Sequence, residues 1–403
     1  MRDNILLVTH VPVRQSLEGF LIDDQTAKGI AQWCKHFDKV TYVGIEASGA
    51  ASTSAWTSVS RQPGLQNCDI FCLPQAYRLR QMLGTYRAVR VQLRRHIAEH
   101  KHLCFTIGGL VGDWPAVAAL EARALRRDYV AWIDRVEPQI IRHAMASASL
   151  KRRLKNAIEL PLMERYQRFI LAKSEVALLQ GMDTYNYFSA SAPNPHCIYD
   201  THTTQADRIE HAALAAKLAR VEAGGPLELV YAGRAAPMKG TDDWLDVLTH
   251  LDQQDVPFRA RWIGDGPDLA AMRARVENSS LRGKVLLAGF EGEREVLLRA
   301  LRDSDMLLFC HKTPESPRCL IEALVSGCPI VGYGSAYATG LAAQEGGAAL
   351  VEPNQVRALA EAVQALHRDR TRLASLIRQA ALSGRLYDED TVYAHRARLM
   401  GAA

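Results

Sequence analysis

No apolar run in this chain approaches the roughly 18 residues that a membrane-crossing helix requires, so no such helix is expected. Paired-cysteine spacings are missing too. The eight cysteines, Cys34, Cys68, Cys72, Cys104, Cys197, Cys310, Cys319 and Cys328, are scattered, with no Cys-x-x-Cys among them. Several sit in apolar runs, as Cys310 does in Met306-Leu307-Leu308-Phe309-Cys310. That pattern argues against a disulfide framework or a zinc ribbon and for reduced core thiols. No low-complexity tract and no repeat of 20–50 residues is visible, which sets aside solenoids and disordered chains. No nucleic-acid-binding motif is present, so a nucleic-acid partner is not expected. The N-terminus lacks a signal-peptide cleavage site: Met1-Arg2-Asp3-Asn4 runs straight into Ile5-Leu6-Leu7-Val8. It reads as a first buried strand in a cytoplasmic chain.

What is present is soluble globular composition, 48% hydrophobic and 23% charged over 403 residues, a length that suits two domains. In the second half, short β-rich runs at Leu227–Ala232, Phe258–Ile263, Val285–Ala288, Met306–Cys310 and Pro329–Tyr333 alternate with helical stretches. That rhythm predicts βαβ units and a parallel sheet. The first half repeats it more loosely, from a strand at Ile5–Val13 to one at Val176–Gln180 that ends the sheet, with a long basic helix over Tyr77–His100. The expected organisation is α/β, with two Rossmann-like domains whose parallel sheets face each other across an interdomain cleft. Residues 1–205 form the first domain, 206–226, which contain Gly224-Gly225-Pro226, a linker, and 227–387 the second. A final helix at about 388–403 packs on either domain.

The net charge of +5 is unevenly spread. Residues 1–205 hold 25 lysines and arginines against 18 acids, a net of +7, while the remainder is at −2. A basic first half suits an acidic acceptor or an anionic membrane surface, with peripheral association at the inner membrane face; chance asymmetry of a solvated surface is the alternative. Within it, Leu150, Leu154 and Ile158 share one helical face flanked by Lys151, Arg152, Arg153 and Lys155. This is the pattern of an interfacial helix. A core-packed helix with a solvated basic rim explains it equally well and is the reading preferred from sequence.

Three constellations carry chemistry. The first, Gly233-Arg234-Ala235-Ala236-Pro237-Met238-Lys239-Gly240, follows a strand directly. Arginine offers a planar fork and lysine a compact charge, and with the N-terminus of the helix beginning at Thr241 they form a cradle for a pyrophosphate. It is not a Walker A loop, because Met238 stands where that motif needs glycine and no Ser or Thr follows Lys239. The second, Gly264-Asp265-Gly266-Pro267, is read as a tight strand-to-helix turn that needs no ligand. In the third, Pro314-Glu315-Ser316-Pro317-Arg318-Cys319 feeds a helix. The amides near Ser316–Cys319 point at a ligand and Glu322 lies one turn in, placed to accept from two adjacent hydroxyls. An i,i+4 pair between Arg318 and Glu322 is the bland alternative.

Taken together and in order, these motifs resemble the donor domain of the retaining GT-B glycosyltransferases of family 4 (glycosyl transferases group 1). The resemblance covers residues 227–335: Gly-Arg, a spacer, Lys-Gly, Gly-x-Gly-Pro, Val285 to Gly289, and a helix ending Glu-Ala-Leu-x-x-Gly-x-Pro. It implies that Arg234 and Lys239 hold and stabilise the departing diphosphate. Gly233, Ser316, Pro317, Arg318 and Cys319 would line the donor site, and Glu322 would take the ribose hydroxyls. Cations and amides would then suffice without a divalent metal or other cofactor. Two departures stand out. The family has two glutamates separated by seven residues, whereas Pro314 occupies the first position here and Glu315 is one place late. A family histidine next to the transferred sugar is replaced by Asp134, which could accept from sugar or acceptor, or pair with Arg135. His10 and Gly19 are further acceptor-side candidates, while Asp113 reads mainly as a helix N-cap. Asp303-Ser304-Asp305, at a helix-to-strand junction, is set aside as a metal motif.

The expected activity is a metal-independent, retaining, hexosyl-type transfer from a nucleotide-diphosphate sugar to a glycan or lipid-linked saccharide acceptor, in cell-surface or exopolysaccharide synthesis. A nucleotide-sugar epimerase or phosphorylase of the same architecture, or a non-catalytic sugar-nucleotide-binding homologue, are the alternatives.

Overall fold

The computed structural model describes residues 3–17, 19–47, 56–145, 149–313 and 316–401. They divide into two compact units, Met1–Tyr199 with Asp390–Ala403, and Asp200–Glu389.

The first unit is built on strands β1 (Asn4–Ser16), β2 (Gly19–Asp23), β3 (Lys39–Glu46), β4 (Trp56–Ser58), β5 (Cys68–Leu73), β6 (His102–Thr106), β7 (Val130–Ile133), β8 (Val176–Gln180) and β9 (Pro195–Ile198). Its helices are α1 (Asp24–Cys34), α2 (Leu79–Glu99), α3 (Trp114–Ala124), α4 (Glu137–Ala144), α5 (Leu150–Leu171) and α6 (Gly181–Phe188). Among the described residues the parallel sheet runs β5-β3-β1-β6-β7-β8-β9, and β2 and β4 pair antiparallel on the far end of β1. The sheet therefore does not stop at Val176–Gln180: β9 pairs with β8 beyond it. Its sequence, Pro-His-Cys-Ile, has little β signal, and pairing to the buried β8 supplies what propensity does not.

Helices α2, α3 and α5 cover one sheet face, where Val89, Leu93, Ile97, Trp114, Val117 and Ile170 share one core with Leu103 and Phe105. Contrary to the core-packed reading of α5, Leu150, Leu154 and Ile158 are exposed. The helix carries a second stripe that the core takes, Leu160, Met163, Ile170 and Leu171, with the polar Asn156 and Gln167 buried among them.

The second unit begins before the expected boundary. Residues 206–226 are not a plain linker: α7 (His211–Glu222) lies there and packs on a later helix of the same unit. The sequence His-Ala-Ala-Leu-Ala-Ala-Lys-Leu-Ala-Arg-Val-Glu is rich in the best helix formers, which explains it. Next come β10 (Leu227–Ala232), α8 (Thr241–Gln253), β11 (Phe258–Ile263), α9 (Leu269–Glu277), β12 (Val285–Gly289), α10 (Arg294–Asp303) and β13 (Met306–Phe309). The unit continues with α11 (Arg318–Val325), β14 (Ile330–Tyr333), α12 (Ala336–Leu341), β15 (Ala348–Val351), α13 (Val356–Arg368) and α14 (Arg370–Gly384). Strand order is β12-β11-β10-β13-β14-β15, all parallel. Strands β13 and β14 are buried along their whole length, as parallel strands covered on both faces must be. This is the doubly wound order in which β10 and β13, the two central strands, send their chains off in opposite directions.

The last helix, α15 (Glu389–Leu399), returns to the first unit. Tyr393 meets Trp33 edge-on at 5.2 Å between ring centroids. The fully buried Arg396 guanidinium lies 4.6 Å from the Trp132 ring centroid and 4.8 Å from that of Tyr393, and donates to the Tyr199 carbonyl at 2.8 Å. A cation stacked on aromatics away from water is worth about 2 kcal/mol. Arg396→Ala is accordingly expected to destabilise the first unit by at least about that amount, read as a lowered urea midpoint; an unchanged midpoint would show the stack to be idle.

Candidate functional site

In an open parallel sheet, ligands bind where neighbouring strands diverge, beyond their carboxyl ends. In the second unit that point lies between β10 and β13, and the chain leaving β10 is Gly233–Gly240. Its path is dictated by backbone packed on backbone. A Cβ on Gly240, at φ +66°, would meet the Cys310 carbonyl oxygen at 2.1 Å. The second constellation is the support for the first: a Cβ on Gly266 would lie 2.2 Å from the Ala235 oxygen, and the Ala235 amide donates to the Asp265 carbonyl at 3.0 Å. Trp262 donates from its indole to the Gly233 carbonyl at 3.1 Å, and the Thr241 hydroxyl to Asp268 at 2.7 Å. The loop carrying Arg234 and Lys239 is thus held from below and from the side.

The cations at this edge can be sorted by what they already hold. Lys312 is spent on Asp243 at 2.6 Å, which also accepts from Tyr333 at 2.7 Å. Arg318 faces Asp200 at 3.8 Å rather than Glu322. Arg294 holds Glu322 at 2.9 Å and Asp207 at 3.3 Å. Arg234 is exposed and ion-pairs with none of the described residues; Lys239, at the far end of the same loop, is half-buried.

Sequence reasoning passed over His311, which stands directly after β13 with its Nε2 2.8 Å from the Tyr231 hydroxyl. Burial, reinforced by the Lys239 charge, holds its imidazole well below the usual histidine range. It is neutral at pH 7, so it adds no positive charge. Its only signal in the sequence was position, one residue past a central strand.

The third constellation is placed in part. Ser316 and Pro317 are half-buried ahead of α11, whose first turn has no acidic residue and no side-chain cap. By contrast, α8 carries Asp242 and Asp243 in its own first turn, so the more suitable helix terminus for an anion is that of α11. Glu315 lies outside the described residues. Glu322 is one turn into α11, but its partner is Arg294 from α10, not the i,i+4 neighbour Arg318. Among the described residues only Oε1 is engaged. Cys319 sits in the first turn of α11, half-buried. Asp305 of the set-aside Asp-Ser-Asp stretch is fully buried, paired with Arg220 at 2.8 Å. Among the described residues no three His, Cys, Asp or Glu side chains converge as a metal-ligand set.

The first unit has a matching point between β1 and β6. Strand β1 bulges opposite β3 between Val8 and Pro12, and His10 lies in the bulge. Gly44 of β3 makes room for it, since a Cβ there would sit 2.6 Å from the Val11 carbonyl oxygen. Bulges re-aim side chains, and here His10 Nε2 comes to 3.3 Å from Asp113 Oδ1. Asp113 caps α3 by accepting from Ala116 at 2.9 Å, as the sequence suggested. It does more: its other oxygen takes the Gly108 and Gly109 amides at 2.9 and 2.7 Å. Burial alone would depress the His10 imidazole, but the Asp113 carboxylate, with the charges of Asp134 and Glu137 behind it, holds it above the ordinary range. Asp134 is exposed just past β7, and the Arg135 guanidinium is taken by Glu137 at 2.7 Å. Asp113 and Asp134 therefore both act on His10, whereas Gly19 closes the β1–β2 hairpin, where its carbonyl accepts from Ser16.

Asp113→Asn can keep the cap to Ala116 while removing the charge, at the cost of the acceptor for the Gly108 and Gly109 amides. His10 is then expected to titrate below the ordinary histidine value, seen as a shift of its imidazole resonances in an NMR titration. A titration unmoved from wild type would contradict the pairing. By the same sign, the pair adds stability below the ordinary histidine range and loses it as pH climbs through the raised value.

With this geometry in view, the comparison with known proteins is direct. Residues 217–382 match the family model of the glycosyl transferases group 1. The matched segment lies wholly inside the second unit and contains all three constellations. The chain is similar to a putative colanic acid biosynthesis glycosyltransferase, WcaL, of Escherichia coli K12, 30% identical over 162 residues, 38% of this chain and 40% of that protein. It is also similar to a 2-deoxystreptamine glucosyltransferase of Streptomyces kanamyceticus, 29% identical over 143 residues, 35% of this chain and 36% of that protein. These matches thus span about two fifths or less of either relative's length. Among solved structures, Anabaena HepE in complex with UDP superposes with a TM-score of 0.69 at 14% identity, covering 99% of this chain and 100% of that one. WaaG, a glycosyltransferase involved in lipopolysaccharide biosynthesis, does so with a TM-score of 0.61 at 12% identity and 99% and 100% coverage. The fold class is GT-B, two Rossmann-like α/β units with parallel sheets.

Proposed function

We propose that the chain moves a hexosyl group from a nucleoside-diphosphate sugar to a glycan or lipid-linked saccharide in cell-surface or exopolysaccharide synthesis, with retention and without a divalent metal. The observation that carries this reading is the Gly233–Gly240 loop, which sets an arginine with no ion pair among the described residues, and a lysine, at the point where β10 and β13 diverge. In the step envisaged, the bond from the anomeric carbon to the diphosphate breaks and the acceptor oxygen bonds that carbon on the same face. A donor phosphate oxygen takes the acceptor proton. Negative charge grows on the diphosphate as it leaves, and Arg234, Lys239 and the amides leading into α11 are the groups that would stabilise it. Glu322 would use the oxygen not given to Arg294 for the ribose hydroxyls. Glu315 is assigned to the sugar. His10, Asp113 and Asp134 are assigned to the acceptor side.

Uridine donors are the first to try, since the HepE structures contain UDP and UDP-glucose. A panel of nucleotide sugars, assayed with EDTA present, is expected to give transfer from at least one, with the product anomer matching the donor by NMR. An inverted product would overturn retention, and turnover of the donor sugar without any acceptor would favour epimerisation instead.

A further inference from the structure

Helix α5 is apolar on two opposite faces, and only one has a core to pack against. The buried stripe is Asn156, Leu160, Met163, Gln167 and Ile170. About 190° around the helix runs a second ridge, Leu150, Leu154, Ile158 and Leu162, exposed to 83, 71, 64 and 49%. Spaced four apart, these residues make a continuous ridge roughly 18 Å long. Leucines and an isoleucine this open are not spread singly over the surface but aligned, which marks an interaction face.

Basic residues outnumber acidic ones around the ridge. Lys151, Arg152, Arg153, Lys155 and Arg165 are all exposed. The nearby acids are accounted for, Glu159 by Lys155 at 3.4 Å and Glu164 by Arg142 at 2.6 Å. On the same helical layer, beyond the buried α3, α2 repeats the pattern. Its Leu79, Leu83 and Val91 are 60, 68 and 65% exposed, and Arg80 and Arg87 lie among them, while Arg94 reaches Glu121 at 3.1 Å. No acidic residue occurs in α2 before Glu99.

From this we infer that the outer surface of the α2 and α5 helices is a docking face for an anionic lipid bilayer. An aliphatic ridge sinks among acyl chains while lysines and arginines at its flanks meet the headgroups, each worth about 1 kcal/mol near such a surface. Charge selects this occupant over a second copy of the chain. A two-fold contact would lay the basic ridge on itself and bring like charges together. The inference stands apart from the sugar-transfer reading, because docking needs neither nucleotide nor acceptor.

The test is co-sedimentation of the full chain with vesicles of phosphatidylcholine and phosphatidylglycerol at 7:3, against phosphatidylcholine alone. Wild type is expected to partition at least tenfold more strongly onto the anionic vesicles. Leu154→Glu with Ile158→Glu, and separately Leu79→Glu with Leu83→Glu, should each lose at least tenfold while keeping the wild-type melting temperature. Undiminished partitioning of both variants, or no preference for phosphatidylglycerol, overturns the inference. So does a wild-type dimer in gel filtration that the α5 substitutions dissolve, since that would make the occupant a second copy. Sugar transfer to a water-soluble acceptor should be unchanged in both variants, so a failure here leaves the catalytic reading intact.

Discussion

Lys239→Ala is expected to slow sugar transfer about 10²–10³-fold in kcat, with a smaller change in the donor KM. The reasoning is differential. A ground-state nucleotide sugar already carries the diphosphate charge, but a departing diphosphate carries more, so a cation placed at it acts mainly in the transition state. Among the described residues, three neighbouring groups at this edge are already committed or neutral. Lys312 is bound to Asp243, Arg294 to Glu322 and Asp207, and His311 is held neutral. Arg234→Ala should fall in the same range and Arg234→Lys should recover only part, since a compact ammonium cannot reproduce a bidentate fork. Asp242→Ala, in the exposed first turn of α8, is the control and should stay near wild type. Equal kcat values for Lys239→Ala and Asp242→Ala would remove lysine from the chemistry.

Gly240→Ala is expected to destabilise the second unit by about 4 kcal/mol or more, an amount single substitutions seldom reach. Two costs combine. An L-residue in the left-handed region pays roughly 1–2 kcal/mol, and the new Cβ at 2.1 Å from the Cys310 carbonyl oxygen strikes backbone, which no rotamer relieves. Gly283→Ala separates the two. Gly283 has φ +78° with nothing within 4 Å of the added Cβ, so it should show the conformational cost alone. Chemical denaturation of both variants checks this; equal losses would mean the loop shifts to accept the methyl group, and the held-loop description would fail with it.

The second unit was more legible in the sequence than the first, for a physical reason. Parallel strands covered on both faces read as unbroken apolar runs, and β13 and β14 are of that kind. Around them Gly240, Gly264 and Gly266 are required by close backbone contact, which ties residue identity to geometry. The half-exposed edge strand β15 has no such signature, and it went unseen. In the first unit, β2 and β4 are short antiparallel additions whose existence depends on the far end of β1. Helix α7 was legible in principle, but glycines and a proline following it drew the reading toward a linker.

Contacts between residues distant in sequence were the hardest to see. His10 and Asp113 meet because β1 and β6 are neighbours and because a bulge turns His10 toward the α3 cap, and neither fact has a local signal. Glu322 looked ready for Arg318 at i,i+4, yet packing of α10 against α11 brought Arg294 instead. The two stripes of α5 show the converse: periodicity revealed an apolar face but not which of two faces the core would claim.

Most directly at stake is whether the loop after β10 holds a diphosphate. Isothermal titration of UDP, GDP and ADP into the wild-type chain and into Arg234→Ala with Lys239→Ala decides it. Losing two charge-assisted contacts should weaken the preferred nucleotide at least about 100-fold in the double variant, with its melting temperature preserved. Binding of equal strength in a folded double variant would contradict the assignment of this loop, and with it the transfer chemistry built upon it.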